Sequence, residues 1–267
     1  MDLRIFDVEH GACALLACDD NTRIMIDCGH NSSSGWRPGT HLKSEGITSI
    51  EMLAITNYDE DHVSGIADLF DNVSIKSLLR NRSVSGTVLR QLKTEDGMGS
   101  GIDRLVTEIE NTYTGGAPNP APGYQGLEWS GFHNSYPAFD DENNLSLALF
   151  LKCHGIGVLF TGDLETAGWL ELLKRDAFKT MLRGVNVLVA SHHGRENGCC
   201  DEIFEFCKPH YIVISDKGYA HDTQETVPYY RARAKGGPFR DETRHVLTTR
   251  NDGRIGFSFD LSRWGPY

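Results

Sequence analysis

In the run Thr56-Asn57-Tyr58-Asp59-Glu60-Asp61-His62, three side chains with hard donor atoms, Asp59, Asp61 and His62, fall within four residues. Carboxylate oxygens combined with imidazole nitrogen suit Zn²⁺, Mn²⁺ or Fe²⁺ better than Ca²⁺ or a thiolate-held ion. The apolar stretch Met52-Leu53-Ala54-Ile55 comes immediately before, and Val63, Ile66, Leu69 and Phe70 recur afterwards at helical spacing. The run is therefore expected in a short loop between a buried strand and a helix, which gives metal ligands the rigidity they need. A solvated acidic turn ahead of a helix is the plain alternative.

Other candidate ligands stand at the same kind of place. The apolar stretch 157–160 ends at Thr161-Gly162-Asp163, the stretch 185–190 at Ser191-His192-His193-Gly194, and the stretch 211–215 runs into a loop carrying His221. Four successive predicted strands thus exit into residues of metal-binding type. A carboxylate such as Asp163, fixed after a glycine, is placed to bridge two ions roughly 3.5–4 Å apart, with a water acidified toward pKa ~7 between them. Alternation along the preceding strand would point His192 and His193 to opposite faces, and of the two His192 reads as the structural one.

The elements that must position these groups follow from periodicity and turn residues. Strands are expected at 3–8, 12–18 and 23–27, separated by Glu9-His10-Gly11 and Asp19-Asp20-Asn21, and then at 50–55 and 74–79. An apolar hairpin is expected at 146–160. One helix should carry Leu170, Leu173, Ala177 and Met181 on a single face, and another should span 226–234. A terminal hairpin is expected from 245–249 and 255–260 around Asn251-Asp252-Gly253. Residues 81–137 read as an insertion, with helices at 87–92 and 102–113 and a Gly- and Pro-crowded loop at 115–126, placed to cover the mouth of the site.

Composition sets the outer limits. A chain of 267 residues, 39% apolar and 24% charged, is expected to form one large globular domain with an insertion. No stretch approaches the roughly 18 apolar residues of a membrane span, and no export signal is visible, so a cytoplasmic protein without membrane contact is expected. Seven cysteines sit mostly in apolar runs, where cysteine behaves as a small hydrophobe; Cys199-Cys200 is the exposed-looking pair. The net charge of −11 argues against a general nucleic-acid coat, although divalent cations would neutralise several of the acids.

Seven strings in order resemble the metallo-β-lactamase fold superfamily, in particular the branch of the metallo-β-lactamase-like domain of the DNA-uptake protein ComEC. Residues Phe6 to Gly11 resemble its opening FDVGxGD, Ile26-Asp27-Cys28-Gly29 its IDxG, and Thr56 to His62 its THxDxDH. Asn143-Asn144-Leu145-Ser146-Leu147 resembles NxxSL, Phe160 to Asp163 with Glu165 resembles FTGDxE, Ser191 to Gly194 matches HHG, and Tyr219-Ala220-His221 resembles YGH. The resemblance implies an α/β fold, a four-layer αββα sandwich with a metal site on its edge, binding one or two divalent transition metal ions (Zn or Mn).

Carried onto this sequence, the resemblance implies that Asp61, His62 and His221 hold one metal with Asp163 bridging, and that Asn57 and Asp59 belong to the other. Asp27 would orient the metal loop by hydrogen bonds from outside the ligand set. His193, with His192, would bind phosphate or donate a proton, and Asn143 would contribute to substrate binding. A turn-capping role is the alternative for Asp27 and Asn143. Three positions depart from the pattern. Asn57 replaces a histidine, and its amide oxygen is a poorer ligand than imidazole. Ala12 replaces an acid, and Arg195 stands where the branch has serine. Arg195 is either an anion clamp matching phosphate bidentately or a surface charge.

The leading expectation is a metal-dependent phosphodiesterase or nuclease acting on a nucleic acid or nucleotide. The alternatives are a catalytically weakened binding or regulatory module, with a protein partner on residues 81–137, and a hydrolase of another bond type such as a lactone or thioester.

Overall fold

Apolar residues of the predicted strands alternate between two destinations. Ile24 and Ile26, Met52 and Ala54, and Leu149 and Leu151 pack into one buried cluster, whereas Met25, Leu53, Ala148 and Phe150 face outward into others. A strand whose two faces are both buried must lie in a sheet covered on both sides. The computed structural model describes residues 1–94, 97–115, 123–218 and 225–267, and this is the arrangement it shows.

The first sheet runs in the order Trp264–Pro266, Ile255–Phe259, Asp2–Ile5, Cys13–Ala17, Arg23–Cys28, Met52–Ala54, Leu78–Leu79. It is antiparallel up to Arg23–Cys28 and parallel beyond it. The second runs Val246–Thr248, Tyr211–Ile214, Val185–Val189, Ile156–Phe160, Leu147–Cys153, Leu127–His133. Its first four strands are mutually parallel and the last two antiparallel. Leu3, Ile26, Leu149, Val213 and Phe257 fill the space between the sheets. Helices Pro38–Ser44, Ile66–Asn72, Gly86–Leu92 and Ser100–Asn111 cover the outer face of the first sheet through Leu42, Leu69, Leu89 and Leu105. Helices Thr166–Leu172, Asp176–Leu182 and Val227–Arg233 cover the second through Trp169, Phe178 and Tyr230. The result is the expected αββα sandwich. Among the described residues no helix is long and apolar enough to cross a membrane.

Several expectations change. The strand expected at 74–79 divides into Ser74–Ile75, which pairs with Ser49–Ile50 in a small separate sheet, and Leu78–Leu79 in the first sheet. The terminal hairpin does not form. Val246–Thr248 pairs with Tyr211–Ile214 in the second sheet, Ile255–Phe259 pairs with Asp2–Ile5 in the first, and the helical turn Thr249–Asp252 carries the chain between them. The single helix over 170–181 is broken into Thr166–Leu172 and Asp176–Leu182; the break changes the helical phase, so Leu170 is exposed while Trp169 and Leu172 are buried. Within residues 81–137, strand Leu127–His133 extends the second sheet as an edge strand, where expectation had only loop. Part of the Gly- and Pro-crowded stretch lies outside the described residues. All seven cysteines are free thiols, and Cys200 is buried rather than exposed.

Candidate metal centre

The parallel strands of both sheets send their C-terminal ends to one edge, where open α/β sheets bind ligands. Backbone contacts lock the exits together. Leu147 N donates to Thr56 O at 2.7 Å, His192 N to Gly162 O at 3.1 Å, and Ala12 N to Asp61 O at 3.3 Å. Ser215 Oγ reaches across to Gly11 O at 2.7 Å. Several exits adopt left-handed backbone: Asp27 (φ 53°), His192 (φ 49°) and His193 (φ 53°). Such conformations cost a few kcal/mol at most and collect at functional sites.

This edge brings together Asp61, His62, Asp163 and His193, whose candidate ligand atoms all lie within 4.8 Å of one another. His62 Nε2 is 3.0 Å from Asp163 Oδ1, and its Nδ1 donates to Asp27 Oδ2 at 3.0 Å. Asp27 in turn accepts from Thr56 N at 2.7 Å and from the Thr56 hydroxyl. That is the carboxylate–imidazole arrangement that fixes tautomer and ring orientation in metal sites. It is the geometry that an orienting role for Asp27 would need.

His193 donates from Nδ1 to Ser215 O at 2.9 Å, which leaves Nε2 3.1 Å from Asp61 Oδ2 and 3.6 Å from Asp163 Oδ1. Nε2 is buried without a hydrogen bond of acceptable geometry. Burial alone would lower the His62 and His193 pKa values, but the facing Asp163, with Asp27 for His62 and Asp61 for His193, outweighs it and raises both. Burial would likewise raise Asp61, yet the facing imidazoles of His193 and His62 bring it down to about 2. Asp163 is lowered in the same way, against burial, by His62 and His193. Two acids and two imidazoles thus share protons in a space where a cation would satisfy all four.

The expected sites are only partly reproduced. His193 joins the ligand cluster instead of standing beside it. The strand ends at Val189, before the histidines, so strand alternation does not apply to them. His192 turns toward Glu165 Oε1, 3.7 Å away, and Arg195 Nη1, 3.5 Å from its Nε2. Asn57 and Asp59 do not enter the cluster. Asn57 Nδ2 donates to Glu142 O at 3.2 Å and Ser146 Oγ at 3.0 Å, while its Oδ1 accepts from Asp59 N at 2.6 Å. The Asp59 carboxylate is paired with Lys93. Asn143 Nδ2 is held by Glu165 Oε1 at 3.2 Å. His221 lies outside the described residues.

Two residues escaped sequence reasoning. His10, read from sequence only as part of a turn, has its ring 4.3 Å from that of His193 and its Nε2 3.8 Å from Asp61 Oδ2. Burial, then the charges of His193 and Arg195, lower its pKa to about 3. Arg195 Nη2 lies 3.3 Å from the same nitrogen. Only the fold brings this turn to the metal loop: a Cβ on Gly11 would meet Asp61 O at 2.5 Å. Lys93 had no signal, because it follows an ordinary polar helix.

The donor set fits a divalent transition ion: two carboxylates and two imidazole nitrogens, one of which, His193 Nε2, is orphaned in the cluster. Beside it is a cavity of about 20 Å³ lined by Asp27, Thr56, His62, Asp163, His193 and Ser215. That is room for roughly one water-sized body.

Sandwich, edge site and ligand order together define a protein with the metallo-β-lactamase fold. In sequence the chain is 24% identical over 263 residues, 92% of its length, to ComE operon protein 3 of Bacillus subtilis, and spans 32% of that relative. It therefore covers about a third of the curated protein it matches. No protein-family model matches the chain. Among solved structures, the metallo-β-lactamase fold protein YhfI from Bacillus subtilis aligns with a TM-score of 0.50 at 10% identity, over 96% of this chain and 100% of that one. A diphosphatase from the PhnP family aligns at 0.49 and 12% identity, over 97% and 98%.

Proposed function

We propose that this chain is a metal-dependent hydrolase of phosphodiester bonds in a nucleic acid or nucleotide. The observation that carries the reading is the convergence of Asp61, His62, Asp163 and His193 within 4.8 Å at the strand-exit edge. These four would hold a divalent ion, Zn²⁺ or Mn²⁺. When bound, such an ion supplies Lewis acidity and makes water a competent nucleophile near neutral pH.

The chain's own residues divide the remaining work. Asp27 holds His62 Nδ1 so that Nε2 faces the cluster. The Ser215 carbonyl does the same for His193. Arg195, half-buried beside His10 and His192, presents the planar donor fork that matches a phosphate oxygen pair and counters the charge that develops on it. His192, next to Arg195 and Glu165, is placed to move a proton at the leaving oxygen. The resemblance of the motifs to the ComEC-like branch supports this reading of the substrate class.

The test is a Mn²⁺- and Zn²⁺-supplemented cleavage screen on single-stranded DNA, duplex DNA, RNA and cyclic dinucleotides. Asp61→Ala and Asp163→Ala should abolish metal-dependent turnover. Undiminished turnover in either variant rules the mechanism out.

A further inference from the structure

The loop from Thr56 to His62 divides its side chains between two pockets. Asp61 and His62 turn into the metal cluster; Asn57 and Asp59 turn into an oxygen-rich pocket beside it. Ser146 Oγ joins the two, accepting from Asn57 Nδ2 and from Asp163 N, both at 3.0 Å. The second pocket already holds a cation. Lys93, which caps helix Gly86–Leu92, is 5% exposed, and its ammonium is ion-paired to both Asp59 Oδ1 and Glu142 Oε1.

We propose that the Lys93 ammonium is a built-in cation in a pocket that would otherwise take a divalent ion, so that the protein binds one metal ion and not two. This rests on the reading of the Asp61–His62–Asp163–His193 cluster as a metal site. Asp59 and Glu142 gather on the Asn57 side of Ser146 and Asp163, with Asp61, on the other, and carboxylates held this close favour a cation beside each pair. On one side the donors include imidazole nitrogens and remain open to an ion. On the other they are oxygens only, and their cation is covalently part of the chain. A strongly hydrated ammonium on a flexible stem is a point charge with three donors. Two of those donors are engaged by Asp59 and Glu142 here. The Asn57 carbonyl oxygen is likewise engaged, by Asp59 N.

The segment between residues 81 and 137 supplies Lys93 to this pocket. That gives this segment a role in setting the electrostatics of the site: a charge of +1 that cannot dissociate and cannot be removed by a chelator.

The test is metal stoichiometry with Mn²⁺ and Zn²⁺, read by calorimetry and by elemental analysis after desalting. The wild-type chain should bind one equivalent, and Lys93→Met and Lys93→Ala should bind two. Two equivalents in the wild type, or one equivalent in well-folded Lys93 variants, overturns the inference. No bound metal in the wild type sinks the metal-site reading itself, a distinct outcome. Should both variants fail to fold, electron paramagnetic resonance of the Mn²⁺-loaded wild type decides: the spectrum of an isolated ion supports the inference, and an exchange-coupled pair refutes it.

Discussion

Asp27 and His62, 35 residues apart in sequence, are both buried and joined by a 3.0 Å hydrogen bond from imidazole Nδ1 to carboxylate Oδ2. Asp27 lies near the end of strand Arg23–Cys28 and His62 in the helical turn Glu60–Val63 that follows strand Met52–Ala54, so the pair ties the parallel packing of the two strands to the orientation of a ligand. Asp27→Ala should lower metal affinity by about 10–100-fold, with the helical circular dichroism unchanged. Affinity at the wild-type level would show that the pair only caps the Thr56 turn.

The protons held in the cluster set a pH dependence with a definite sign. Against burial, Asp163 and Asp27 raise the His62 pKa above its ordinary value, and Asp163 and Asp61 raise that of His193. A raised folded-state value means that the stabilisation is complete below the unfolded pKa of about 6.5 and is lost as pH rises through the folded values. The metal-free protein should therefore lose stability above that pH. Metal affinity should rise over the same window, because the ion displaces these protons. Calorimetry in buffers of different ionisation enthalpy should show proton release on binding; binding without it would contradict the assignment.

Gly29 has no side chain for a steric reason: a Cβ there would lie 2.4 Å from Asp61 O and 3.0 Å from Ala12 O. Gly29→Ala must push the metal loop away from the first sheet. The expected cost is about 1–3 kcal/mol by denaturant unfolding, together with weakened metal binding. Equal stability and affinity would mean that the loop is not held there.

Arg195 bears on substrate rather than on metal. Arg195→Gln should raise KM for a phosphodiester by roughly 10–100-fold, the equivalent of a charge-assisted hydrogen bond worth about 1.5–3 kcal/mol. Metal stoichiometry should not change. An unaltered KM would return Arg195 to the surface-charge reading.

On the outer face of the second sheet, Trp169 is buried in the core and donates from Nε1 to Gly198 O at 3.2 Å, just beyond the His192-His193 turn. Trp169→Ala should destabilise the fold by about 3–5 kcal/mol. A shift in the urea midpoint at constant slope is the check.

How much of this could be read from sequence depended on whether the determining forces were local. Apolar runs such as residues 52–55 and 187–190 were legible because burial on both faces leaves a short continuous hydrophobic string. The Asp61-His62 and Asp163 positions were legible as strand exits. The 245–260 segment looked like a hairpin because Asn251-Asp252-Gly253 is a local turn signal, but the sheet each flanking strand joins is decided by distant partners, Tyr211–Ile214 and Asp2–Ile5. Strand Leu127–His133 was hidden because as an edge strand it buries little beyond Leu127 and lacks clean alternation. Asp59 looked like a ligand because its competitor for the carboxylate, Lys93, lies 34 residues away in an unremarkable helix end. His10 was missed for the same reason, since only the close approach of Gly11 to Asp61 brings it to the site.

The central claim is that Asp61, His62, Asp163 and His193 grip a divalent ion. Anomalous diffraction from a crystal grown with Mn²⁺ tests it most directly. The account predicts a single strong peak within bonding distance of Asp61 Oδ2, His62 Nε2, Asp163 Oδ1 and His193 Nε2. A map with no peak among these four atoms, from protein soaked at saturating metal, would contradict it.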